Sequence, residues 1–153
     1  MVAKQVLRAA SGWLELGMPD DALDELKGLQ GKDSEDRRAL ELTLSAQMAK
    51  ESWKDASETA LQLCSQVADD PDFFLSAAFC LHELGKTDKA LKCLKDGPQA
   101  LEEFAVYHYN MACYHWTLNE KDSAREFIKK AIELDESFIE AAREDRDLVG
   151  LEI

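Results

Sequence analysis

The sequence is poor in what a sheet or a membrane span needs. Val (5) and Ile (4) are scarce beside Ala (20) and Leu (21). Strands favour β-branched residues, whereas Ala and Leu lose little on entering a helix. Seven Gly and three Pro are too few to punctuate many hairpins. No apolar run approaches the roughly 18–20 residues that cross a bilayer. Lys4 and Arg8 interrupt the N-terminal stretch where a signal peptide needs an apolar core, so a cytoplasmic location is expected. Positive charge is short as well: 18 Lys+Arg stand against 31 Asp+Glu, a net −13. That balance excludes the basic stripe a nucleic-acid binder uses to displace counterions, and it disfavours an anionic membrane surface.

What is present selects one all-α domain over 1–153, large enough for a real core. The four cysteines, Cys64, Cys80, Cys93 and Cys113, are spaced 16, 13 and 20 apart with no C-x-x-C. They are expected to be small apolar packing residues in a reducing compartment.

The strongest signal is a period. Ala22, Ala56, Ala90 and Ala124 are each 34 residues apart, and each follows a turn-like stretch. Twelve positions before them stand Ala10, Leu44, Ala78 and Ala112; four positions after stand Leu26, Ala60, Leu94 and Ile128. Small residues at fixed places let two antiparallel helices approach closely. A unit this short cannot bury its apolar face alone, so neighbours must stack.

In this period the chain resembles the tetratricopeptide repeat family. The best match runs from Tyr109-Asn110-Met111-Ala112 through Ala131-Ile132-Glu133-Leu134-Asp135, with Glu136 where proline is usual. Departures are Ala9-Ala10 in the first repeat, Glu51 in place of the turn glycine in the second, and Gly97-Pro98 inside the third. The resemblance implies a right-handed helical solenoid with repeats at about 3–36, 37–70, 71–104 and 105–138. A capping helix at about 137–149 follows. Helices are expected at 3–16, 20–30, 35–50, 53–68, 71–84, 87–96, 99–118 and 121–134; the Gly97-Pro98 step shortens the sixth and starts the next one early.

Signals for chemistry are thin. There is no phosphate loop, G-x-S-x-G or H-E-x-x-H. His108 and His115 lie two turns apart, too far to chelate one ion, and Cys113 and His115 point apart. Only stacking of adjacent repeats could bring His82 near Cys113. No metal, no cofactor and no enzymatic activity are expected.

The informative feature is apolar surplus. Residues 105–118 carry no charge, and 73–84 carry one only at Glu83. A surface helix needs a single apolar stripe, so a helix apolar all round must be covered all round. The family's groove is lined by the first helix of each repeat. By register, repeats one and two supply Lys4, Leu7, Ser11, Arg38, Glu41 and Ser45, a polar end. Repeats three and four supply Leu75, Phe79, His82, Val106, Tyr109, Cys113 and Trp116, an apolar-aromatic end of the kind that anchors interfaces. Where chaperone-associated members place a carboxylate clamp, this chain has Leu7, Ser11, Leu42, Asp72 and Ser76, so that clamp is absent.

The resemblance therefore implies a protein-interaction module that binds a protein, peptide or helix in its groove. The partner is expected to be apolar-aromatic with basic flanks, drawn by the acidic charge. The alternatives are a chaperone for secreted proteins and a self-associating structural unit such as a homodimer.

Overall fold

A computed structural model describes residues 2–153. Among the described residues it contains α-helices and short 3₁₀ turns and no strand. These fall into two compact units, one ending at Ala68 and the other spanning Asp69–Ile153.

The first unit holds α1 (Val2–Glu15), α2 (Pro19–Leu26), α3 (Arg37–Ala49) and α4 (Trp53–Gln66), with a 3₁₀ turn at Gly31–Asp33. α1 packs on α2, α2 on α3, and α3 on α4. Its core joins Ala10, Ala22, Leu26, Leu29, Ala39, Leu42 and Ala46. Asp36 caps α3 by accepting the Arg38 N–H at 3.0 Å.

The second unit holds α5 (Pro71–Glu83), α6 (Thr87–Lys95), α7 (Ala105–Thr117), α8 (Lys121–Leu134) and α9 (Phe138–Glu144). α5 packs on α6, α6 on α7, and α7 on α8. Asp70 caps α5 by accepting the Asp72 N–H, and Pro71 occupies the first helical position, where its missing N–H costs nothing.

The 34-residue period is a backbone period. Gly17, Glu51, Gly85 and Asn119 share one position in the four turns, and all four have positive φ, between 56° and 77°. After each, an N–H reaches back six residues inclusive to the helix: Met18 to Trp13, Ser52 to Gln47, Lys86 to Leu81, Glu120 to His115. This bond satisfies a carbonyl that the helix end leaves orphaned. Glu51 adopts the conformation despite its side chain. The alanines that follow the turns, Ala22, Ala56, Ala90 and Ala124, are all 0% exposed, which is why nothing larger stands there.

Two expected helices are divided. In place of a helix over 99–118, Gln99–Glu103 forms a 3₁₀ turn, Phe104 is extended, and α7 begins at Ala105. Buried Leu101 pins this turn, and a side chain at Gly97 would approach its Cδ1 to 2.6 Å. His108 Nε2 donates to the Glu102 carbonyl at 2.7 Å, which ties the turn to α7. In place of a capping helix to 149, α9 ends at Glu144 and Arg146–Leu148 forms a 3₁₀ turn. Extended Asp145 makes the break and caps the new turn through the Asp147 N–H at 2.9 Å.

Candidate functional site

α7 places Tyr109, Cys113 and Trp116 at i, i+4 and i+7, so they share one face. His82 comes from the end of α5. The segment after α9 returns over these residues. Asp145 divides its carboxylate: Oδ1 caps the 3₁₀ turn, while Oδ2 accepts the Tyr109 hydroxyl at 2.6 Å and the Cys113 thiol at 3.9 Å. Asp147 Oδ2 lies 3.0 Å from His82 Nε2. A carboxylate only accepts, so Nε2 carries the proton. Nδ1 meets the Thr87 hydroxyl at 2.9 Å, which fixes the ring. The Trp116 indole N–H donates to the Val149 carbonyl at 3.1 Å. Leu148, 2% exposed, joins the core of this unit with Tyr109 and Cys113.

Aromatic contacts frame the site. Phe138 stacks on Tyr109 with centroids 4.7 Å apart. The Lys121 ammonium sits 3.4 Å over the Trp116 ring and donates to the Trp116 carbonyl. Burial, then the bond to Asp145, pushes the Tyr109 hydroxyl far above its ordinary range. Burial, then the Asp145 and Asp147 charges, does the same to the Cys113 thiol. Such a thiol stays protonated and is a poor nucleophile. Burial pushes Cys80 and Cys93 up to about 11.

The seven residues assigned by register therefore divide. His82, Tyr109, Cys113 and Trp116 converge beneath residues 145–149. Leu75 is partly buried against the same core. Phe79 and Val106 stay 37% and 38% exposed. Sequence reasoning missed Asp145, Asp147 and Val149. The Asp-x-Asp spacing and Gly150, which takes φ 89°, were the available signs that no helix runs to 149. His82, Glu83 and Asp147 bring one ligand atom each within 4.8 Å of one another. Asp147 is engaged with His82, and the Arg146 guanidinium lies 3.7 Å from Glu83, so internal pairing accounts for the cluster.

Residues 105–138 match the family model of the tetratricopeptide repeat. No curated protein matches the chain. Among solved structures, a crystal structure of MamA is 18% identical and superposes with a TM-score of 0.79, covering 90% of this chain and 81% of that one. A second MamA crystal structure is 17% identical with a TM-score of 0.78, covering 99% of this chain and 78% of that one. At these identities the likeness is one of fold. No helix among the described residues is long and apolar enough to cross a membrane. A repeat fold of this kind is in general a protein-interaction scaffold rather than a catalytic one. The matched repeat, the shared fold and the turn geometry recurring every 34 residues lead to one conclusion: residues 105–138 are a tetratricopeptide repeat, in a chain that shares the helical-repeat fold of MamA.

Proposed function

We propose that the protein is an interaction module that binds a partner peptide or helix on the α5/α7 face, through Leu75, Phe79, His82, Val106, Tyr109, Cys113 and Trp116. One observation carries this reading. Three donors on that face, the Tyr109 hydroxyl, His82 Nε2 and the Trp116 indole, all bind a peptide segment, the chain's own residues 145–149. Exposed Phe79 and Val106 add apolar area. Cys80, Cys93 and Cys113 form no disulfide, which suits a reducing cytoplasm. The test is recovery of partners from native lysate by wild type and by a folded Phe79→Ala/Trp116→Ala variant. Loss of a partner from the variant supports the reading, and equal recovery removes it.

A self-associating unit is the second reading, favoured by a different feature. A cleft of about 500 Å³ beside α8 and α9 is lined by Ile128, Ile132, Ile139 and Ile153 together with charged side chains of both signs, among them Arg125 and Glu133. Sedimentation as a monomer at micromolar concentration would count against it.

A further inference from the structure

The segment lying on the α5/α7 face has a readable chemistry. In chain order it offers the carboxylate of Asp145, the carboxylate of Asp147, the side chain of Leu148 and the carbonyl of Val149. Tyr109, His82 and Trp116 offer only donors in return. The lone large side chain it buries nearly completely is Leu148. Neighbouring Arg146 is 85% exposed at its side chain and Val149 is 75% exposed. Two carboxylates, one leucine and one carbonyl thus hold a short segment built on a 3₁₀ turn rather than an α-helix, with Arg146 3.7 Å from Glu83 and Leu151 packed on the same core. The face reads carboxylates locally, while the chain's −13 charge repels acidic chains at a distance.

We propose, resting on the groove reading above, that the α5/α7 face takes a partner peptide with an Asp-x-Asp-Leu core between basic flanks, and that residues 145–149 are its built-in competitor. The core satisfies Tyr109, His82 and Trp116 as the tail does. The flanks answer the acidic surround and speed encounter. Because the competitor is tethered, it acts at high effective concentration and lowers the apparent affinity for any peptide in solution. Weakening the tail raises that affinity, and removing the donors lowers it.

The probe is a fluorescent peptide carrying residues 144–152, with Gln in place of Arg146 and two lysines at each end. It is titrated against full-length chains. Asp145→Asn/Asp147→Asn should bind it at least about tenfold tighter than wild type. Adding Tyr109→Phe and His82→Gln to that variant should abolish the gain. Equal affinity of wild type and the Asn variant overturns the proposal, as does a gain that survives loss of Tyr109 and His82. A second measurement needs no variant. Saturating peptide should accelerate amide hydrogen exchange over residues 145–149 of wild type, since the tail must leave; binding with unchanged exchange overturns the competitor. If the peptide fails while Phe79→Ala/Trp116→Ala still loses its lysate partner, the groove stands and the acidic core falls.

Discussion

The Tyr109 hydroxyl donates to Asp145 at 2.6 Å across 36 residues of sequence. This bond joins the first helix of the fourth repeat to the segment beyond α9. Replacing Tyr109 with phenylalanine would keep the stacking on Phe138 and remove only the donor. We expect Tyr109→Phe to cost about 1.5–3 kcal/mol, the range for a bond to a charged group. The loss should appear in urea unfolding, together with faster amide exchange over 145–149.

Tyr114 presents the opposite case. Its ring packs 4.9 Å from His82, and its hydroxyl is buried with no hydrogen-bond partner among the described residues. Tyr114→Phe should leave stability unchanged or raise it by about 1 kcal/mol, because an unsatisfied buried polar group is removed at nearly constant shape. A clear loss on urea unfolding would show that the hydroxyl has a stabilising role.

Glu51 takes φ 56° where Gly17 and Gly85 stand in other repeats. A non-glycine residue in that region carries strain of about 1–3 kcal/mol, partly offset by glycine's larger unfolded-state entropy. Glu51→Gly should therefore stabilise by about 1 kcal/mol. Ala90→Leu should do the reverse, costing about 1–3 kcal/mol by overpacking a site with no exposed surface. Thermal or urea unfolding of the two variants checks both signs.

Cys80 and Cys93 have thiols pushed by burial up to about 11. At pH 8 their thiolate fraction should be about a hundredfold below that of an unfolded thiol, and alkylation correspondingly slower than in urea. Between pH 9 and 11 the unfolded chain releases these protons and the folded chain keeps them. The unfolded state then binds fewer protons, so stability falls as pH rises through that window. Unfolding free energy measured from pH 8 to 11 should decline.

The repeat was legible because it is a covalent fact. Small residues 34 apart fix where helices touch, and Ala22, Ala56, Ala90 and Ala124 are buried as that spacing requires. Even Glu51, a departure from the family pattern, keeps the common turn, since the bonds around it are made by the backbone. Two regions that depart from the repeat's helix–turn–helix pattern were not legible. The turn at Gln99–Glu103 depends on Leu101 and on His108 reaching back to Glu102. The segment after Glu144 depends on Tyr109, His82 and Trp116, partners distant in sequence. An uncharged α7 announced that it would be covered, but composition could not say by what.

Trp116 offers the most direct measurement. Its indole N–H donates to Val149 on the α5/α7 face, whereas Trp13 and Trp53 belong to the first unit. With a recovered partner added to the ¹⁵N-labelled protein, the Trp116 indole resonance should shift while those of Trp13 and Trp53 hold. A Trp116 resonance that stays put while Trp13 or Trp53 moves would contradict binding on the α5/α7 face.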